Sequence, residues 1–265
     1  MSNGHAASHP YHLVEPSPWP ALGALGAFLM ASGAVTFFHD RADPWVLVAG
    51  VVVVLATMAL WWRDVIREAQ VQHAHTAPVR HGLRVGMVLF IASEVMFFVA
   101  FFWAFFDAAT LTDPSVTEWP PKGIEPLHTW SIPFFNTLIL LSSGLAVNHA
   151  HHALRRNERS TVARFLALAV VLGLTFLCLQ AYEYAGAAFG FTQGIYPSVF
   201  YMATGFHGFH VFVGACFLTV NFFRARRGDF TPEQHVGFEA AAWYWHFVDA
   251  VWLFLFVWVY WWGNG

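Results

Sequence analysis

Charge is what this chain has least of. Aspartate, glutamate, lysine and arginine together make up 11% of its 265 residues, while 57% are hydrophobic. A soluble domain carries about 25% charged residues, so a soluble globular class is excluded and one integral membrane bundle is expected. Lysine is almost missing: Lys122 stands beside twelve arginines, a bias that points to a GC-rich bacterial genome. The formal net charge of −3 offers no basic field to a nucleic-acid partner. Cysteine is scarce as well. Cys178 and Cys216 lie in separate apolar runs, which excludes a disulfide framework and a CxxC metal site. Both are expected to be small buried core residues. No Lys or Arg precedes Arg41, and Pro10, Pro16, Pro18 and Pro20 interrupt the first stretch, so no secretory signal peptide is expected there.

Long apolar runs are what the chain has instead. They fall at about 20–38, 45–62, 85–106, 131–153, 160–182, 196–223 and 238–262. A helix rises about 1.5 Å per residue, so about 20 residues cross the hydrocarbon core. The expected fold class is therefore an all-α integral membrane protein with seven transmembrane helices. Residues 1–19 read as a cytoplasmic arm, 20–66 as helices one and two, 67–82 as a cytoplasmic connector and 83–265 as a five-helix bundle. No internal repeat is evident, which argues against a repeat-built transporter. Loops 63–84, 149–164 and 224–237 hold eleven of the thirteen Lys and Arg, and the opposite loops only Arg41 and Lys122. That alternation predicts a cytoplasmic N-terminus and a C-terminus on the other side, where Trp252, Trp258, Tyr260, Trp261 and Trp262 form an aromatic belt.

The run Val85–Phe106 carries one ionisable group, Glu94, near its middle. An unpaired ionised carboxylate at that depth costs on the order of 3 kcal/mol or more, so Glu94 must be protonated or hydrogen-bonded to a neighbouring helix. His207 and His210, in the sequence GFHGFH of the sixth run, are its candidate partners by depth and chemistry. Gly205, Gly208 and Gly214 thin that run for close helix contact. On the seventh run Glu239, Trp243, His246 and Asp249 share one face, and these acids and imidazoles are read as one polar cluster. Two roles remain open for Glu94: a proton-handling or gating carboxylate, or a neutral acid that fixes helix register. A His pair one turn apart can share a metal or haem, but hydrogen-bonded pairing is the expectation, and no metal site is expected.

The segment WWRDVIRE at 61–68 places Trp62, Arg63, Arg67 and Glu68 at a cytoplasmic boundary, with His73, His75 and Arg80 following. Arginine meets phosphate bidentately and tryptophan settles at headgroup depth. Phospholipid headgroup binding by Trp62, Arg63, Arg67, Glu68 and His75 is one reading, and generic interfacial anchoring is the other. Arg224 and Arg226 are further lipid candidates. Histidines crowd the same side, among them His5, His9, His12, His73, His75, His81, His149, His151, His152 and His235. They are candidates for collecting protons near neutral pH.

An ordered set of motifs resembles the cytochrome c oxidase subunit III family over nearly the whole chain. It comprises YHLVEPSPWP at 11–20, WWRDVIRE at 61–68, GLRVGMVLFIASEVMFF at 82–98, FFWAFF at 101–106, WPPKGI at 119–124, AHHAL at 150–154, ATGFHGFHV at 203–211 and GFEAAAWYWHFVDAVWLFLF at 237–256. The resemblance implies seven transmembrane helices, with helices 1–2 splayed from helices 3–7 by a V-shaped cleft filled with phospholipid. It implies no catalytic residue and no haem or copper in this chain. Those belong to partner subunits: subunit I with the haem–copper site, in direct contact, and subunit II with the dicopper centre. Cytochrome c delivers electrons to such a complex, which reduces oxygen to water and pumps protons. Glu94 matches the family's membrane-embedded carboxylate, which reacts with hydrophobic carbodiimides. Arg67, Glu68, His75 and the Arg224–Arg226 region match positions near lipid.

The expected function is thus a non-redox accessory subunit of a proton-pumping oxidase that binds structural phospholipids and supports proton uptake by subunit I and its stability. The expected location is a bacterial plasma membrane in preference to the mitochondrial inner membrane. A quinol-oxidising relative is the first alternative. It is disfavoured because such relatives typically lack the first two helices. A stand-alone proton channel or transporter using Glu94, His207, His210, His246 and Asp249 is the second.

Overall fold

The computed structural model describes residues 16–39, 41, 43–110 and 118–264. His5, His9 and His12, the first half of the run YHLVEPSPWP, and Asp113 lie outside the described residues. Among the described residues there are seven α-helices and no strand. They are α1 (Trp19–Phe38), α2 (Trp45–Gln70), α3 (Ala77–Ala109), α4 (Ile132–Arg155), α5 (Arg159–Ala185), α6 (Ile195–Arg227) and α7 (Val236–Leu255). A π-helical stretch, Phe256–Trp261, and a short 3-10 turn, Trp262–Asn264, prolong α7.

Six of these helices are long and apolar enough to cross a membrane. The helix left out is α4, which is diluted by Asn136, Ser142, Ser143, Asn148, His149, His151 and His152. The helices also outrun their apolar runs. The segment expected as a polar connector is largely helical, because α2 continues to Gln70 and α3 begins at Ala77. Arginine and glutamate are good helix formers, so RDVIREAQ extends the helix once it leaves the apolar stretch.

The chain divides into two compact units, residues 1–82 and 83–265, with the boundary inside α3. The first unit is built on the antiparallel pair α1 and α2. A Cβ at Gly33 would run into the backbone of Leu47, and one at Gly50 into the backbone of Met30, so the two helices touch main chain to main chain. Trp19 Nε1 donates to Asp64 Oδ2 at 2.8 Å and ties the other end of the pair. Little else is covered: Phe28, Val35, Trp45 and Met58 are exposed.

The second unit is arranged around α7, most of whose residues are buried. Trp245 fills its centre and is fully buried. A Cβ on Gly214 of α6 would lie 2.8 Å from the indole, and one on Gly173 of α5 would also collide with it. The indole N–H donates to Ser143 Oγ at 3.1 Å, and that hydroxyl donates to the Ala169 carbonyl at 2.9 Å. Gly214 therefore makes room for a tryptophan ring rather than for another helix. Gly205, which was expected to serve helix contact, has nothing within 4 Å of a built Cβ. By contrast α3 buries only Phe98, Phe105, Ala108 and Ala109.

Both cysteines contradict the expected burial. Cys178 of α5 and Cys216 of α6 are exposed on the outer surface of the bundle. A helix that is apolar on every side gives no sequence signal of which face turns inward, so a small apolar residue sits equally well outside.

Gly50→Leu is expected to separate α1 from α2, because main chain cannot yield as a side-chain end can. Overpacking of this kind costs about 1–3 kcal/mol. Thermal melts of the helical circular dichroism signal in detergent should show a lowered midpoint. Gly82→Ala, which meets nothing within 4 Å, should not lower it.

Candidate functional site

Most of the polar residues singled out in the second unit fall into separate local groups. His210 of α6 donates from Nδ1 to the Phe206 carbonyl at 2.7 Å, and its Nε2 lies 2.8 Å from Glu94 Oε2 of α3. A carbonyl can only accept, so the Nδ1 proton is committed. The close contact at Nε2 then holds one proton shared between imidazole and carboxyl. Rings close the pair in, with Phe98 at 4.9 Å and Phe97 at 5.8 Å from the His210 ring centre. Glu94 itself is only partly covered by this chain, because α3 lies at the edge of the bundle.

His207 does not reach Glu94. Three residues turn a helix by about 300°, which points His207 into the bundle interior. It is fully buried, stacks on Trp252 with ring centres 5.2 Å apart, and has no hydrogen-bond partner at either ring nitrogen. His210 turns Nε2 to Glu94 of α3 while His207 faces the interior, so the two imidazoles turn to different surroundings.

The face of α7 read as one cluster is resolved into two sites. Asp249 Oδ2 lies 3.3 Å from His246 Nδ1, and His246 Nε2 lies 2.9 Å from Asn148 Oδ1 of α4. Asp249 is packed over Gly144, where a Cβ would collide with its carboxylate. Glu239, at the other end of the helix, is gripped by Arg84 of α3. The Nε atom donates to Oε2 at 2.7 Å and one terminal nitrogen to Oε1 at 3.2 Å. His235 Nε2 lies 3.4 Å from Oε1. Trp243 is half-buried on the same helix.

Sequence reasoning passed over Glu183 of α5, which is buried. Gln180 Nε2 donates to its Oε2 at 2.8 Å, and the Tyr260 hydroxyl donates to the same oxygen at 3.0 Å. Gln180 and Glu183 at i, i+3 in QAYEY were the available signal. It was missed because the apolar run was ended at 182, which put the acid in water.

At the headgroup candidates the geometry is mixed. Trp62, Arg63 and Arg67 are exposed, and Arg63 pairs with its neighbour Asp64 at 3.2 Å. Glu68 and His75 are half-buried, and the His75 carbonyl accepts from Arg80 at 2.8 Å. Arg224 is mostly covered, with Asp229 at 3.6 Å and the Phe230 ring centre at 4.5 Å. Arg226 is exposed.

Comparison with known proteins gives this geometry a family. A family model described as cytochrome c oxidase subunit III matches residues 9–264. The chain is 53% identical to cytochrome c oxidase subunit 3 of the lancelet Branchiostoma lanceolatum. It is 51% identical to the human and the carp (Cyprinus carpio) proteins of that name. Each match covers 97% of this chain and 98% of the relative. This chain belongs to the cytochrome c oxidase subunit III family. The match includes the N-terminal motif and the first two helices as well as the five that follow.

In this subunit III chain, Glu94→Gln is expected to keep the contact with His210, because the amide N–H can donate to Nε2. Thermal midpoint and chain folding should be close to those of the parent. Glu94→Ala leaves the Nε2 atom of the buried His210 without its partner, at about 1–3 kcal/mol. A lower midpoint for the alanine variant alone is the result that checks this.

Proposed function

We propose that this chain, an accessory subunit of cytochrome c oxidase by family, is a lipid-holding, non-redox flank of that complex. It lies beside subunit I, with subunit II in the same assembly and cytochrome c as the electron donor to the whole. Haem and copper are held by those partner subunits. In this reading α4 is the seventh transmembrane span, the basic loops face the cytoplasm and the C-terminus faces the periplasm of a bacterial plasma membrane. The excess of arginine over lysine supports the bacterial assignment.

The observation that carries this reading is the bare apolar surface of α1 and α2. Their buried residues are only Gly26, Gly33, Gly50 and Thr57. The rest of both helices, from Phe28 to Trp62, needs an apolar covering, and acyl chains supply one. At one end Trp61, Trp62, Arg63 and Arg67 are exposed, and in this reading headgroups lie at that level. Exposed tryptophan and arginine together at the end of an apolar helix suit a phospholipid with an anionic phosphate. Arg224 contributes less, since Asp229 and Phe230 already hold its guanidinium.

We assign Glu94 the role of fixing α3 in register against α6. Support for proton uptake by subunit I would come from the histidines at the basic ends of the helices, His73, His75, His81, His149 and His152 among them. The channel reading is weakened by the spacing of the polar pairs. Glu94–His210, His246–Asp249–Asn148 and Arg84–Glu239–His235 are each closed on themselves.

Arg67→Ala is expected to reduce the phospholipid that stays with the purified complex through detergent washing. Native mass spectrometry gives the lipid count and shows whether haem-bearing chains co-purify. An unchanged lipid count would reject the headgroup assignment. Purification of the chain alone, without haem-bearing partners, would reject the accessory role.

A further inference from the structure

We propose that His151, His235 and Glu239 form a binding site for a divalent metal ion of the zinc type. One ligand atom from each of the three residues lies within 4.8 Å of the others. His151 comes from the last two turns of α4, His235 directly precedes α7, and Glu239 sits in the first turn of α7.

The hydrogen bonds around the three residues argue for a cation. His235 Nδ1 donates to the Thr231 carbonyl at 3.0 Å. In a neutral ring that leaves Nε2 as a lone pair, yet Nε2 faces Glu239 Oε1 at 3.4 Å. Two electron-rich atoms do not rest against each other unless a positive centre lies between or on them. His151 adds a second unmet acceptor or donor, for its Nε2 is buried and has no hydrogen-bond partner. The two imidazoles stand edge to face with ring centres 5.4 Å apart, and Phe238 packs 5.6 Å from His151. One ion accounts for all three groups at once.

The ligand set names the ion's class. Two imidazole nitrogens and one carboxylate oxygen are a familiar three-ligand zinc set, with a fourth position left for water. Magnesium and calcium prefer all-oxygen sites. Ligand atoms about 2.0 Å from a tetrahedral ion lie roughly 3.3 Å apart, which the His235–Glu239 pair at 3.4 Å nearly meets, and the His151 ring need close by at most about 1.5 Å. The surroundings orient the ligands as such sites require. Thr231 fixes the tautomer of His235, and Arg84 holds Glu239 chiefly through Oε2, leaving Oε1 toward the imidazoles. Arg84 also shares the carboxylate's charge, so the site is one of moderate affinity that fills with metal supply, unlike a permanent structural site. A single ion here would clamp the end of α4 to the start of α7.

The test uses the intact oxidase containing this chain. After incubation with zinc sulfate and desalting, plasma mass spectrometry should find one zinc per complex that His151→Gln and His235→Gln each lose. Their apparent affinity at this position should be at least tenfold weaker. Equal zinc in the parent and both variants overturns the proposal. Either variant can disturb the α4–α7 contact, so the unaltered complex gives an independent reading. Crystals soaked in zinc should show anomalous scattering about 2.0–2.2 Å from both imidazoles and the Glu239 carboxylate. Absence of that peak also overturns the proposal and leaves a protonated His235 paired with Glu239. The lipid-holding role stands or falls separately, because its readout is the phospholipid count.

Discussion

A histidine on a helix has a ready partner in the carbonyl four residues before it, and this chain uses that bond repeatedly. His149 and His210 within helices, His39 just after α1 and His235 just before α7 each donate Nδ1 to the carbonyl at i−4, over 2.7 to 3.0 Å. The bond spends the proton of a neutral ring and turns Nε2 outward as a lone pair. Whatever stands opposite must then bring a proton or a positive charge. At His210 the opposing group is Glu94, and at His235 it is Glu239. The Glu94–His210 contact follows from this backbone constraint, and so does its count of one proton.

Those contacts matter most for α3. It lies at the edge of the second unit and buries few residues. Two polar contacts pin it: Arg84 to Glu239 on α7, and Glu94 to His210 on α6. They are ten residues apart, about 15 Å along the helix. Beyond Glu94 runs a file of phenylalanines, with Phe97 meeting Phe206 at 5.0 Å, Phe102 meeting Phe254 at 4.3 Å and Phe106 meeting Trp258 at 5.5 Å. The aromatic edges supply adhesion and the polar pins set height and rotation.

The helices themselves could be read from the sequence because a bilayer demands continuous apolar runs of a fixed length. Their ends could not, since α2 and α3 continue into polar residues that form helix readily. Glu94 was conspicuous as a lone acid in an apolar run, and its depth pointed to His210. His207 was an equal candidate by depth. Only the angular position on α6, which depends on how that helix is rotated in the bundle, separates the two. The division of Glu239 from His246 and Asp249 was hidden for a similar reason. Residues on one helix face share a direction, but each meets a different neighbour, Arg84 in one case and Asn148 in the other. Cys178 and Cys216 were misplaced because uniformly apolar helices carry no pattern that separates the lipid side from the protein side.

That last difficulty explains why the polar pairs are there at all. In lipid, apolar side chains gain nothing from meeting each other rather than an acyl chain, so hydrophobicity cannot choose a helix's partner or rotation. The choice falls to shape and to hydrogen bonds, the latter worth about 0.6–2 kcal/mol each between membrane helices. Trp245 between Gly173 and Gly214 is the shape device, and it locks α7 against α5 and α6. A helix at the edge has no such socket. For α3 the cheapest source of specificity is a pair of groups that would each be costly alone in hydrocarbon. An acid at depth is therefore reason enough for a histidine opposite, and a proton-conducting role is not required to explain either.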